Sequence, residues 1–408
     1  MSKGPSVYFP GLNALRFLAA AAVMVTHIEL MKLYFGLRNV WVNADAKVSS
    51  FPLKHALNGD FDWRAPMVAE AGPLGVVFFF VLSGYLITYL LCAERTQTGS
   101  ISIKQFYVRR ILRIWPLYYF ILLLGFFVLP HLAWFEVPRQ SAQLNDNFSG
   151  NLLFFTIILP NIAYSLYDAI PNIGQAWSIG VEEQFYFIWP LLMLLYGRSW
   201  RVIVVFMAAF IGLKMGVLLF EAVYNPEWIG PLKKFLAMSK MENMAMGALG
   251  AWWLYHRREK IPKWVFASRV PWVSAIGVLA LVYLTPKFVQ NGIHLVHGLL
   301  FLLIIVNISN RPRGSEVLEN RTFDFLGRIS YGIYMYHMMI VVLAMHIVRH
   351  LLPETKALTP IQNVLLYLGV TALTIGVSAA SYYGMEARFV RMKKKFSAVV
   401  SGDNAKEV

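Results

Sequence analysis

Apolar residues run through this chain in long blocks separated by short clusters of charge. A helix needs about 20 residues to cross a hydrocarbon core of about 30 Å, and blocks of that length recur from end to end. They predict ten membrane-spanning helices near 12–32, 72–92, 110–130, 181–197, 201–220, 235–256, 270–286, 291–309, 329–350 and 362–384. A further apolar stretch, 151–166, is shorter and contains Pro160 and Asn161, which suits a partial or interfacial helix. The segment before the fourth helix is rich in Asn, Gly and Gln and is expected to be partly re-entrant. Irregular backbone at membrane depth is tolerated only against protein or water. The pattern predicts an all-α polytopic membrane protein.

Loop charges set the orientation. One set of loops holds Arg95, Lys104, Arg109 and Arg110, then Arg198 and Arg201, then His256 to Lys263, then Arg311, Arg313 and Arg321. The run RFVRMKKK from Arg388 belongs to the same set, and the opposite loops are far less basic per residue. Basic loops stay in the cytoplasm, so both termini are expected there. A spanning helix at 151–166 would invert everything after it, which argues against one.

Composition agrees. Hydrophobic residues make up 58% of the 408 and charged residues 14%, where a soluble domain has about 25% charged. The net charge of +15 then reflects cytoplasmic loops, and no nucleic-acid partner is expected. A single cysteine, Cys92, excludes an internal disulfide and argues against a cysteine metal site. The first apolar segment contains Arg16 and lacks a clear cleavage site, so it is expected to be a retained helix. No internal repeat interrupts the chain. Residues 1–390 are expected to form one membrane domain and 391–408 a short basic cytoplasmic tail.

The candidate chemistry lies in polar residues inside apolar helices, where each ionisable group costs roughly 2.5–3.5 kcal/mol. In GLNALRFLAAAAVMVTHIEL, Arg16 and His27 are eleven residues apart. They therefore share a helix face about 16 Å apart along the axis. An imidazole at that depth suits a general base. Glu29 lies on another face and is not expected to partner His27. Ser83-Gly84 in GVVFFFVLSGYLIT marks either close helix packing or a close approach to a ligand or to the first helix. Arg110 and Arg113 in FYVRRILRIWPLYY share a face and suit either cytoplasmic anchoring or a phosphate clamp. In NIGQAWSIGVEEQFYFIWP, Glu182 is the better candidate to face inward. Glu183 is expected to be an N-terminal carboxylate favoured by the helix dipole. His337 in GRISYGIYMYHMMI suits a core histidine bonded to a neighbour or a substrate contact. His294 and His297 lie three apart without a third ligand nearby in sequence, so no metal is expected.

These blocks resemble the acyltransferase-3 family of bacterial integral-membrane O-acyltransferases over nearly the whole chain. The likeness is carried by GLNALRFLAAAAVMVTH, FFFVLSGYLI, RRILRIWPLYY, AWSIGVEEQFYFIWP and ISYGIYMYH, in that order. The resemblance implies transfer of an acyl group, usually acetyl from acetyl-CoA, to a sugar hydroxyl of a cell-envelope or exported glycan or lipid-linked sugar. It implies residence in the bacterial cytoplasmic membrane, His27 as the catalytic histidine and Glu182 beside it, where Glu182 would orient His27 or bind the acceptor. Arg16, Arg110 and Arg113 would bind acyl-CoA, with Ser83, Trp177, Ser178, Tyr186 and His337 lining the acceptor pocket. Ile179 stands where leucine is usual in the family, and the appended periplasmic esterase-like domain of some members is not expected. The rival readings are a transporter or flippase of a glycan or small polar solute and a non-catalytic scaffold. The duplicated halves and paired interrupted helices of many transporters are missing from the sequence.

Overall fold

The computed structural model describes residues 6–38, 64–167, 170–285, 290–310 and 317–401. Among the described residues, the regular structure is helical apart from one two-residue parallel pairing, Ser6–Val7 with Val400–Ser401. The longer helices are α1 (Leu12–Tyr34), α2 (Arg64–Thr98) and α3 (Ile103–Leu123). Three short helices follow, α4 (Gln140–Asp146), α5 (Phe148–Thr156) and α6 (Pro160–Tyr167). Next come α7 (Trp177–Tyr196), α8 (Arg201–Tyr224), α9 (Ile229–Met238) and α10 (Met241–His256). The chain closes with α11 (Val270–Leu284), α12 (Gln290–Ser309), α13 (Arg321–Arg328), α14 (Ser330–Leu351), α15 (Pro360–Ser381) and α16 (Ala387–Met392).

Among the described residues, seven helical segments are long and apolar enough to cross a membrane. They fall on α1, α2, α3, α8, α12, α14 and α15 with its continuation, and they make this an integral membrane protein. The other three predicted spans do not meet that measure. α7 carries Glu182, Glu183 and Gln184 in its first half, and α10 and α11 have 16 and 15 residues. The predicted span 235–256 is two helices, because the chain breaks at Ser239-Lys240 between α9 and α10. The stretch 151–166 is also broken: α5 and α6 have 9 and 8 residues and meet at Ile158, whose φ is +59°. Neither is long enough to cross a bilayer.

α2 is the central strut. It packs against α1, α7, α10, α11 and α12. Its closest approach is to α10, where glycines let two backbones meet: a Cβ on Gly84 would lie 1.8 Å from the Met244 carbonyl oxygen. Gly84 therefore serves packing against α10, not an approach to α1, and Gly75 fills that role by meeting the Ala19 backbone. α8 lies at the periphery, with 6% of its apolar window buried, so its apolar face is left for lipid.

Helix starts follow local chemistry. Ser102 accepts from the Gln105 amide at the start of α3. Thr359 and Gln362 form a reciprocal capping box at α15, with Pro360 in its first turn. The segment before α7 is buried within the protein. Asn172 there has φ +64° and donates to the Phe135 carbonyl, and Gln175 donates to that of Met335. Residues 391–401 pack onto the membrane domain: Arg109 on α3 donates to the Phe396 carbonyl, and Val400–Ser401 pairs with the N-terminus.

Candidate active site

Five helices deliver side chains to one cavity of about 150 Å³. α1 brings Arg16, α2 brings Ser83, α3 brings Arg110 and Arg113, and α7 brings Ser178, Glu182 and Tyr186. α14 closes the wall with Ser330, Tyr331 and Tyr334. Seven of the ten site residues expected from sequence thus meet in one space, although they come from positions 16 to 186 of the chain.

Glu182 is held at both oxygens. Ser83 Oγ donates to Oε1 at 2.9 Å, and Tyr186 Oη donates to Oε2 at 2.9 Å. The carboxylate is therefore a fixed acceptor anchoring α7 to α2. The described bonds of Glu182 go to Ser83 and Tyr186, and the described side-chain partner of His27 is His337. Arg110 lies over the rings of Phe106 and Tyr186, 5.6 Å from each centroid, and its Nε is buried without a partner. Stacking fixes the guanidinium plane, and the unused donor is open to an acceptor atom that enters the cavity.

Glu183 differs from its expected role. α7 begins at Trp177, six residues earlier, so Glu183 lies beyond the first turn and gains little from the helix dipole. It instead faces α3, where Trp115 Nε1 donates to it at 3.4 Å, and its Oε1 is buried without a partner. Trp177 does not line the cavity. Its ring packs edge-on against Phe80, which does, with centroids 6.4 Å apart.

His27 and His337 are also absent from the cavity wall, but they are bonded to each other. His27 Nδ1 lies 2.8 Å from His337 Nε2, and His337 Nδ1 lies 2.7 Å from the Tyr334 carbonyl oxygen. A carbonyl only accepts, so these partners assign the His337 proton to Nδ1 and leave Nε2 as an acceptor. His27 then donates from Nδ1 and keeps a lone pair on Nε2. His337 is fully buried while His27 is half-buried. Tyr334 links this pair to the cavity: its hydroxyl bonds Ser178 Oγ at 2.6 Å and its ring lines the wall.

A second cavity of about 180 Å³ shares Arg16, Arg110 and Arg113 with the first. It adds Asn13, Arg328, Tyr382 and Lys393. Arg16 donates to Asn13 at 3.4 Å, and Asn13 donates to Asp324 at 3.2 Å. Lys393 is half-buried while Lys394 and Lys395 are exposed, so one lysine of the terminal run points inward. Arg328 and Lys393 were not singled out in the sequence. Both sit in basic stretches that membrane topology alone accounts for, so no local pattern separates them from anchoring residues.

Comparison with known proteins shows the family. Residues 9–383 match the family model Acyl_transf_3, described as an acyltransferase domain. The chain is 24% identical over 348 residues to the peptidoglycan O-acetyltransferase OatA of Listeria monocytogenes, covering 82% of this chain and 50% of that protein. It is 23% identical over 350 residues to the O-acetyltransferase OatA of Staphylococcus aureus, covering 82% and 51%. The chain spans about half the length of these curated relatives. No solved structure matches it significantly. With the family model covering nearly its whole length, the chain belongs to the acyltransferase-3 family.

Proposed function

We propose that this protein is an O-acyltransferase of the bacterial cytoplasmic membrane. It moves an acyl group, acetyl by preference, from cytoplasmic acyl-CoA to a sugar hydroxyl of a cell-envelope or exported glycan. The observation that carries the reading is the meeting of Arg16, Arg110 and Arg113 in adjoining cavities, with a paired histidine reached through Tyr334. Guanidinium groups pair well with phosphate oxygens, and CoA carries several phosphates. Arg110, with its open Nε, and the inward Lys393 extend that basic lining. The peptidoglycan O-acetyltransferase name of one relative supports a glycan acceptor. Ten spans and cytoplasmic termini fit this reading by the loop charges.

In the reaction, the sugar hydroxyl gives its proton to His27 Nε2 as its oxygen attacks the thioester carbonyl carbon. The carbon–sulfur bond breaks, the thiolate leaves with the electron pair, and His27 returns the proton to it. An acyl-enzyme intermediate is not needed for this balance. His337 keeps His27 in the productive tautomer, and Glu182 holds α2 and α7 together beside the donor. A second reading, a transporter or flippase, has no specific observation in its favour.

The test is mass spectrometry of envelope glycans from cells with and without the gene. The proposal expects loss of an acyl increment, 42 Da if the group is acetyl. Identical glycans in both strains would reject it.

A further inference from the structure

A further cavity lies away from the Arg16–Arg110–Arg113 site. It measures about 490 Å³ and is walled by α8, α9, the start of α10 and α12. That volume is in the range of sites for small organic ligands. Lys214, Lys233, Lys234 and Lys240 line it, together with Glu242 and His294. No residue of this lining is shared with the other two cavities.

Two of the polar groups are held ready. Lys240 lies half-buried at the break between α9 and α10; its backbone bonds Met238 and Asn243, while no described hydrogen bond or ion pair engages its Nζ. His294 is 6% exposed, and its Nδ1 is buried without a partner. Lys214 is engaged: its Nζ lies 2.6 Å from Glu242 Oε1. The other Glu242 oxygen, Oε2, has no partner. Lys233 pairs with Glu221, and Lys234 lies 4.7 Å from the centroid of the Tyr164 ring. A buried polar group without a partner calls for an explanation, and several around one cavity point to a ligand.

Position says which kind. Lys214 lies inside α8, about 15 Å along the axis from its end at Tyr224, and His294 lies four residues into α12, so the cavity opens toward one end of both helices. An ionisable residue at such depth marks a functional site more often than an accident. The apolar part of the wall comes from α8, where Met215 is 51% and Leu218 46% exposed. α8 is the least buried of the seven apolar helices, so this wall is continuous with the face left for lipid. A soluble anion has no use for that wall.

We infer that this cavity binds the phosphate headgroup of an anionic membrane lipid whose headgroup carries a free hydroxyl. Lys240 and His294 meet the phosphate, Glu242 Oε2 accepts from the hydroxyl, and the chain lies along Met215 and Leu218. Lysine contributes as a point charge, which a phosphate diester accepts without strict geometry. The inference stands apart from the acyl-transfer proposal, because it rests on residues that proposal does not use and is read by binding alone.

Native mass spectrometry of the full chain in detergent tests it. The probes are short-chain phosphatidylglycerol, phosphatidylcholine of the same chain length, and inorganic phosphate. Wild type should retain one phosphatidylglycerol at least tenfold better than phosphatidylcholine. Lys240→Gln and His294→Leu should each abolish that preference, while the exposed Lys104→Gln should keep it. Both variants are first checked for a wild-type elution volume. If His294→Leu fails that check, Lys240→Gln decides, since it leaves no partner unpaired. Equal retention of the two lipids, or retention unchanged in a folded variant, overturns the inference. Displacement of phosphatidylglycerol by inorganic phosphate at millimolar concentration overturns the lipid part, because it shows a site for free anions.

Discussion

His27 on α1 and His337 on α14 are joined ring to ring, Nδ1 to Nε2 at 2.8 Å, with centroids 4.9 Å apart and planes inclined by 30°. The pair spans 310 residues of sequence. His337 is itself fixed by the Tyr334 carbonyl, so the order of donors runs from His27 to His337 to the backbone. His337→Leu removes the acceptor and frees the His27 ring to turn or change tautomer. Activity should fall about 10- to 100-fold, less than the roughly 100- to 10,000-fold a general base supplies, because His27 itself is still present. His337→Gln can still accept from His27 through its side-chain oxygen and should recover part of that loss. The check is kcat and acyl-CoA KM for each variant at several pH values. Equal losses for Leu and Gln would make the role merely structural.

Arg110 and Arg113 lie where the two basic cavities join, and Lys393 reaches one of them from the C-terminal run. Arg110→Ala with Arg113→Ala should raise the acyl-CoA KM at least about tenfold, as expected for lost charge-assisted bonds to phosphate. Acceptor KM should stay near wild type. Lys393→Met should act in the same direction and more weakly, whereas Lys395→Met, on an exposed lysine, should do nothing. Parallel loss of donor and acceptor affinity would point to folding instead.

Gly84 and Gly247 let α2 and α10 touch backbone to backbone. A Cβ on Gly247 would lie 1.9 Å from the Val81 carbonyl oxygen. Backbone cannot yield as a side-chain tip does, so Gly84→Ala should destabilise the protein by about 1–3 kcal/mol or more. The melting temperature in detergent should fall accordingly. Gly212→Ala on α8, where nothing lies within 4 Å, should leave it unchanged.

Glu29 and Lys32 form a buried ion pair at the far end of α1. Asn363 accepts from Lys32 at 2.6 Å, and Tyr367 donates to Glu29 at 2.7 Å. Removing one partner of such a pair strands the other charge, which costs about 3–5 kcal/mol. Lys32→Met should therefore destabilise more than the double variant Glu29→Gln with Lys32→Met. Thermal unfolding of wild type, both single variants and the double variant gives the coupling directly.

Much of this was legible in sequence because membrane helices advertise themselves by length and composition. α1, α3, α8 and α14 fall where the apolar blocks place them. The site was legible because charges inside such blocks are few, so Arg16, Arg110, Arg113 and Glu182 stood out singly. What stayed hidden depends on long-range placement. That His337 and not Glu182 bonds His27 follows from α14 packing on α1, which no spacing along either helix encodes. The start of α7 at Trp177 was obscured by the polar stretch ahead of Glu182. The inward turn of Lys393 was masked by the lysines that follow it. Ser83-Gly84 carried two jobs in adjacent residues, a hydrogen bond to Glu182 and a backbone contact with α10, and only the fold separates them.

His27 is assigned as the base of the proposed reaction. The direct measurement is transfer of label from radioactive acetyl-CoA to envelope glycan in membranes containing wild type or His27→Ala, with expression and membrane insertion matched. Transfer should fall about 100-fold or more for His27→Ala, the range a general base supplies, while acyl-CoA KM changes little. Transfer at the wild-type rate by His27→Ala would show that His27 is not the base.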